Sequence, residues 1–552
     1  MRSTGFFGTS LLATLLAFAL HSSSNAQTPT PVSRPACTAG TTVDTAEGPV
    51  CGLTRDGVTN YLGIPYAAPP VGRLRWQAPQ PAKPWTRKLQ ATQPGNICPA
   101  PGFSGGMAGN EDCLNLNVQV PAAIKPGAGL PVIVRIHGGG FLITAFGLHD
   151  STYMARRHLV VVAMNYRLGI MGFLAEKALG PHSGDYGLQD QQAALRWVQR
   201  NIAQFGGDPH NVTIEGTSAG GASVCEQAVS PAAKGLFERG ISRSGFYNSG
   251  VGPNQVWQAA DCKSQLLTEA QAQRSGAVLA AKVGCGRARN VAVCLRHVLA
   301  ATLVKDAGQM LAPGTSGTIA PTINGTTLPL SPAKAFATGQ INHVSLIIGA
   351  DRDEINGGVT APPVVATTPQ EYRRLIREKY GSLAAKVMQL YPVDRFPAPS
   401  AFIAFRTIVA DADSVCPALV SFRNLARYIP VYAYEVDDAG APVTYLGGKL
   451  PWGAYHGTGD TANPGSGGTT SEVGQDADHL SLTAQIRAEW SSFARRGDPT
   501  APGSPYWPRY TSENPMVMSL NPAGDSVLVP ASVIAAQHHC DFWDSVTRVP
   551  RH

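Results

Sequence analysis

Residues 216–220 read Gly216-Thr217-Ser218-Ala219-Gly220 and follow the apolar run Val212-Thr213-Ile214. A G-x-S-x-G pentapeptide in that setting has the form of a nucleophile elbow, where a strand turns sharply into a helix and holds a serine in a strained conformation at the top of a sheet. Gly216 and Gly220 lack Cβ atoms, so strand and helix can close around the serine. Small Ala219 leaves its backbone N–H free to face an oxyanion, and Gly221-Ala222-Ser223-Val224 begins a helix whose dipole favours negative charge beside Ser218. Upstream, the β-branched run Pro131–Ile136 ends in His137-Gly138-Gly139-Gly140-Phe141. Consecutive glycines after a buried strand present backbone N–H groups with no side chain in the way, which is the donor set of an oxyanion hole. The chemistry suggested is acyl transfer through a serine. A neutral hydroxyl is a poor nucleophile near pH 7, so a base and a group to orient that base must come from elsewhere in the chain. There are thirteen histidines, and one compact acidic group, Asp351, Asp353 and Glu354. Taken alone, a loop histidine is usually a surface residue and such an acidic group a solvated charge cluster.

The elements that must hold these residues are readable from apolar periodicity. Short strand-like pieces lie at 50–53 and 61–65, and 111–118 alternates apolar and polar residues as a half-buried strand does. Residues 131–136, 159–164, 344–349 and 430–436 read as buried strands. A helix is expected over 188–205, with Leu195, Val198, Ile202 and Phe205 on one face and Gly206-Gly207-Asp208-Pro209 as its stop. Residues 262–304 read as helical, 457–478 as a Gly-rich surface loop, and Leu482, Ile486, Trp490 and Phe493 mark an amphipathic helix ending at Gly497. Strand, helix, strand, nucleophile, helix is α/β organisation around a large, mostly parallel central sheet.

At 552 residues, with 43% hydrophobic and 15% charged content, the chain has the composition of a well-packed globular protein rather than a disordered one. Its formal charge of +7 is scattered, with no Lys/Arg run to suggest a nucleic-acid partner. Residues 1–26 read as a signal peptide: Arg2, an apolar stretch from Phe6 to Leu20, then small residues up to Ala26. No later stretch is long and apolar enough for a membrane span. The expectation is a product secreted or delivered to a periplasm, with residues 27–552 forming a single domain. Export makes the ten cysteines candidates for disulfides. Spacing suggests Cys37 with Cys51, Cys98 with Cys113, Cys285 with Cys294, and a long closure between Cys416 and Cys540. Cys225 and Cys262 are left over, Cys225 with a core role. No CxxC or clustered His/Cys spacing suggests a metal site.

Taken together, these stretches resemble the type-B carboxylesterase/cholinesterase family of α/β-hydrolases. The resemblance is carried in order by Ile64-Pro65-Tyr66 through Val71-Gly72, Glu111-Asp112-Cys113-Leu114, His137–Phe141, Asn165-Tyr166-Arg167-Leu168-Gly169, Asp185–Gln191, Phe205–Pro209, the elbow, and Phe493–Pro499. It covers roughly residues 40–545 and implies an α/β-hydrolase fold and a serine ester hydrolase working through an acyl-enzyme. Ser218 would be the nucleophile. Glu354 would be the acid, selected by the context Gly349-Ala350-Asp351-Arg352-Asp353-Glu354, and His456 the base, in Ala454-Tyr455-His456-Gly457. His479 is the fallback histidine. The backbone N–H groups of Gly139, Gly140 and Ala219 would form the oxyanion hole. No cofactor is implied. The family's disulfides support Cys98–Cys113, Cys285–Cys294 and Cys416–Cys540, with Cys37–Cys51 as an addition.

Three positions depart from the family's pattern. Thr217 stands where most relatives carry glutamate, Ile355 follows the acid where glycine is usual, and Gly459 stands three positions after the histidine where an acidic residue is usual. Ser244 matches a serine of the family's outer network around the triad. Between Cys98 and Cys113 the only aromatic residue is Phe103, which argues against the aromatic platform that holds choline. The expected pocket is lined by Leu142, Ile143, Phe146, Phe246, Tyr247 and the 457–478 loop, and suits a small-molecule ester with an apolar portion. Lipases and fumonisin-esterase-like hydrolases of bulky polycarboxylate esters are the neighbouring activities. A non-catalytic cholinesterase-like binding module is the reading from another class.

Overall fold

The runs read as buried strands carry the sheet. The computed structural model describes residues 35–102, 106–143, 151–245, 262, 266–310, 321–354, 365–441, 450–458 and 476–546. The expected signal peptide, Phe103, Phe146, Phe246, Tyr247 and most of the 457–478 loop lie outside the described residues.

Eleven strands form one mixed sheet. In chain order they are β1 (Leu53–Arg55), β2 (Val58–Pro65), β3 (Asn115–Pro121), β4 (Leu130–Ile136), β5 (Val160–Met164), β6 (Gly207–Thr217), β7 (Arg239–Arg243), β8 (Ser345–Asp351), β9 (Val431–Val436), β10 (Met516–Leu520) and β11 (Val527–Pro530). Their spatial order is β11-β10-β9-β8-β7-β6-β4-β5-β3-β2-β1. From β10 to β5 every pairing is parallel. Antiparallel pairs close both edges, β11 on one side and β3-β2-β1 on the other. The strand expected over 111–118 starts only at Asn115, because Cys113 and Leu114 are drawn into the adjoining loop.

A parallel sheet needs both faces covered, and alternation along the strands divides the core accordingly. Val132, Val134 and Ile136 of β4 belong to one core and Ile133 to the other. The helix expected over 188–205 is α1 (Tyr186–Asn201) running into a 3-10 turn, Ile202–Phe205, stopped by Gly206 at φ 82°. Leu195, Val198, Ile202 and Phe205 all enter the first core. α2 (Ala219–Val229) follows the elbow, and α3 (Cys416–Leu425) precedes β9. α4 (Ala477–Arg496) covers the other face, where Leu482, Ile486, Trp490 and Phe493 are each at most 1% exposed. Each such side chain stabilises the fold by about 1.5–3 kcal/mol relative to exposure. Asp476 caps α4 by accepting the Asp478 and His479 N–H groups, and Gly497 ends it at φ 75°.

All four expected disulfides are present. Cys225 and Cys262 are not left over. They form a fifth bridge, with both residues fully buried. The formal glycosylation sequence Asn324-Gly325-Thr326 is folded away. Asn324 is 1% exposed, and its Oδ1 accepts the N–H groups of Thr326, Thr327 and Leu328.

Candidate active site

Three neighbouring parallel strands bring the candidate residues to one edge of the sheet. Thr217 of β6 pairs with Arg243 of β7, which pairs with Gly349 of β8. The chain leaves β6 at Ser218, β7 at Ser244, and β8 a few residues before Glu354. Two further bonds tie these exits together, from the Ser218 N–H to the Arg243 carbonyl (2.9 Å) and from the Ser244 N–H to the Gly349 carbonyl (2.9 Å).

Ser218 sits at φ 60°, ψ −126°, a conformation that an L-residue adopts only when its surroundings enforce it. The enforcement is visible. A Cβ at Gly220 would collide with the Ile136 carbonyl, and one at Gly216 would meet the Gly220 backbone. Side chains at either position would therefore push helix and strand apart. Ser218 is the N-cap of α2, its carbonyl accepts the Ala222 N–H (2.8 Å), and its side chain is nearly buried.

The glycine triplet lies directly against this turn. A Cβ at Gly138 would stand 2.7 Å from the Thr217 carbonyl and 3.1 Å from Ser218 Cβ. Gly139 and Gly140 both have positive φ, 104° and 63°. The Gly139 carbonyl accepts the N–H groups of Leu142 and Ile143, which folds the chain back after the triplet. His137 stacks on Tyr166 at 4.3 Å, and the Tyr166 hydroxyl donates to the His137 carbonyl (2.8 Å). Burial pushes the Tyr166 phenol far up, with Glu226 adding to the effect, so it stays a donor throughout the physiological range. Leu142 is buried close to the triplet; of the other expected lining residues, Ile143 is buried with it.

Glu354 and His456, 102 residues apart in sequence, meet through Glu354 Oε1 and His456 Nδ1 in a short contact. Glu354 Oε2 accepts the Asp351 N–H (2.8 Å), so both carboxylate oxygens are engaged. Both side chains are buried. The fallback, His479, is elsewhere: it opens α4 with Nδ1 on Asp476 (2.5 Å) and Nε2 on Asp438 (3.1 Å).

The sequence model of the carboxylesterase family matches residues 39–543. The chain belongs to the carboxylesterase family. It is 34% identical over 493 residues to the para-nitrobenzyl esterase of Bacillus subtilis (strain 168), covering 85% of this chain and 93% of that protein. Liver carboxylesterase 1F of Rattus norvegicus is 32% identical over 503 residues, covering 85% and 88%. A solved PNB esterase structure superposes with a TM-score of 0.71 at 30% identity, over 90% of this chain and 99% of that one. The protein is a carboxylic ester hydrolase with the α/β-hydrolase fold.

Within this carboxylesterase, the environment of Glu354 is what sequence reasoning missed. Asp351, Asp353 and Glu354 are not a solvated cluster, since all three are buried. Arg352 alone points outward, paired with Asp437 (2.5 Å). The Cys225–Cys262 bridge joins α2 to the chain after β7, and Ser242 Oγ lies 3.6 and 3.7 Å from its two sulfurs. The even count of ten cysteines was the signal for that pairing. Behind the elbow, Glu215 of β6 accepts from Arg135 of β4 (2.9 Å) and pairs with Arg243 of β7 (3.4 Å), buried charges that cross-link the strands presenting Ser218. Among the described residues no group of His, Cys, Asp and Glu is arranged to hold a metal ion.

Proposed function

We propose that the protein is a secreted serine carboxylesterase in which Ser218, His456 and Glu354 form the catalytic triad. The observation that carries this reading is the strained Ser218 elbow on the same sheet edge as the buried His456–Glu354 pair. In the proposed reaction His456 takes the Ser218 proton as Oγ attacks the ester carbonyl. Glu354, bound to Nδ1, keeps the imidazole in the tautomer that presents Nε2 and stabilises the imidazolium. The oxyanion forms against the backbone N–H groups of Gly139, Gly140 and Ala219. Each such donor contributes about 3 kcal/mol of transition-state stabilisation. His456 then protonates the leaving alcohol, and water, activated by the same base, releases the acid from the acyl-serine. Leu142, beside the triplet, is the described residue proposed to meet the apolar part of the substrate; Phe146, Phe246 and Tyr247 are proposed to complete the pocket. Secretion is supported by the apolar N-terminal stretch and by five disulfides among the described residues.

The test is hydrolysis of p-nitrophenyl esters from acetate to long acyl chains. A p-nitrobenzyl ester joins the series because of the similarity to the Bacillus enzyme. Wild type should hydrolyse the short esters, and Ser218→Ala should lower kcat by about 10⁴-fold or more. A Ser218→Ala variant as active as wild type would remove the proposal. A maximum at long chains would move the reading to a lipase. A folded wild type inert to the whole series would direct the search to bulky polycarboxylate esters.

A further inference from the structure

Around His456 the chain is held at two points by carboxylates from the end of β8. Asp351 Oδ2 accepts the Gly457 N–H at 2.9 Å and the Ser244 hydroxyl at 3.3 Å. Asp353 Oδ2 accepts the Ala454 N–H at 3.0 Å, the Asp353 N–H donates to the Ala454 carbonyl (2.9 Å), and Asp353 Oδ1 pairs with Arg406 at 3.2 Å. A Cβ at Gly453, which sits at φ 68°, would collide with both Asp353 and Arg406, so the loop can approach this pair only through a glycine. Asp351 is also the residue whose N–H holds Glu354 Oε2. A closed ring results. Asp351 binds Glu354 through its backbone, Glu354 binds the His456 ring, and the residue after His456 returns to the Asp351 side chain.

We propose that Asp351 is a positioning residue for the esterase reaction, fixing the His456 backbone through the Gly457 N–H while its own N–H fixes Glu354. This rests on the Ser218–His456–Glu354 reading and deepens it. Two features separate this role from ordinary loop stability. The Asp351 N–H holds Glu354 whatever the side chain, so removing the carboxylate frees only the Gly457 end and shifts His456 relative to a Glu354 that stays in place. In this proposal its carboxylate, 2% exposed and bound to the residue that follows His456, is also the second negative charge that acts on the imidazolium formed during attack. Gly459 stands three residues after the histidine, where the family places an acidic side chain, and Asp460, which follows it, lies outside the described residues. Asp351 supplies a carboxylate to the same loop from the opposite direction. Asp353 is assigned the simpler task of anchoring the loop's entrance together with Arg406.

The experiment compares Asp351→Ala, Asp351→Asn, His456→Ala and wild type on a p-nitrophenyl ester, recording kcat, KM and the pH–rate profile alongside thermal melts. Misplacing the base by a fraction of an ångström should lower kcat of the folded Asp351→Ala enzyme by about ten- to a hundredfold, with KM within about threefold. A kcat within threefold of wild type overturns the proposal. Asp351→Asn keeps an acceptor for the Gly457 N–H and loses the charge. It should retain most of kcat, while the acid limb of its profile moves down by about half a pH unit, because the imidazolium loses a neighbouring anion. If Asp351→Ala does not fold, Asp351→Asn decides, and a profile superposing on wild type overturns the proposal. His456→Ala separates the two readings. If it retains wild-type activity the triad assignment itself fails, whereas its collapse beside an unaffected Asp351→Ala removes only the positioning role.

Discussion

Among the described residues, two buried histidine–carboxylate pairs are alike in their first contact and different in everything around it. His456 meets Glu354 through Nδ1, and His538 meets Asp411 through Nδ1 at 2.5 Å. His538, however, has a carboxylate at each ring nitrogen, since Glu435 stands 3.6 Å from Nε2. Asp411 in turn accepts the Tyr391 hydroxyl (2.7 Å), which accepts the Trp543 indole N–H (2.8 Å). Burial pulls the His538 pKa down, but Asp411 and Glu435 outweigh it and push it up to about 9. An imidazole already protonated at neutral pH cannot take a proton, so His538 is an internal cation beside the Cys416–Cys540 bridge. A histidine–carboxylate contact is therefore no catalytic signature. What distinguishes His456 is its place on the sheet edge that carries a strained serine and a glycine triplet.

That contrast is sharpest under parallel substitution. His456→Ala should lower kcat by about 10⁴-fold or more, as Ser218→Ala should, while the melting temperature moves by only a few degrees. His538→Gln should do the reverse, leaving kcat of the folded fraction within a few fold. Its stability should fall by about 3–5 kcal/mol, because Asp411 is left as a buried charge without its cation. Equal losses of activity in the two variants at matched folded fraction would erase the distinction.

Much of the candidate site was legible in local sequence. The elbow and the glycine triplet announce themselves because their chemistry needs glycines at fixed offsets from a β-branched strand, and both requirements are local. The same holds for α4, whose buried stripe at 482, 486, 490 and 493 is a matter of helical period. Glu354 and His456 were identified only by resemblance, since nothing within ten residues of either demands the other. Harder still were the partners defined by a backbone N–H. Which of Asp351, Asp353 and Glu354 faces the Gly457 or Ala454 N–H depends on how the chain leaves β8, and composition favours reading all three as solvated. Asp411 and His538, 127 residues apart, were illegible for the same reason. The swap that places β4 between β6 and β5 is likewise a property of the sheet and not of any one strand.

The two pairs also differ in how pH should reach the fold. His538 is held above its ordinary value of 6.5, so its contribution to stability is fully present below about pH 6.5 and is lost as pH rises through about 9. Glu435, facing the same ring, is pushed up to about 7 by burial, against the pull of His538 and Arg352. Its ionisation therefore also weakens the folded state as pH rises from its ordinary 4.5 through 7. Both act in the same direction. Melting temperature should decline between pH 6.5 and 9.5, and His538→Gln should flatten the upper part of that decline. A wild-type profile level across this window would contradict the assignment of His538 as a buried cation.

The smallest effect expected comes from a carboxyl with no cation beside it among the described residues. Asp185, just before α1 and fully buried, is pushed up to about 8 by burial, with the Thr322 N–H opposing and Glu269 adding to the rise. Its Oδ1 accepts the Thr322 N–H at 2.8 Å, while among the described residues Oδ2 has no hydrogen-bond partner. A neutral acid in that position is close in shape and polarity to an amide. Above the ordinary value of 3.8 the unfolded chain ionises and the folded chain resists, so the penalty grows as pH rises toward 8 and then levels off. Asp185→Asn removes that penalty and keeps the carbonyl that receives Thr322. It should raise the melting temperature by about 3–5 °C at pH 8, change it little near pH 4, and leave kcat unaltered. A variant destabilised equally at both pH values would mean that Oδ2 makes an essential contact as a carboxylate, and Asp185 would then belong with Asp411 as a buried ionised group.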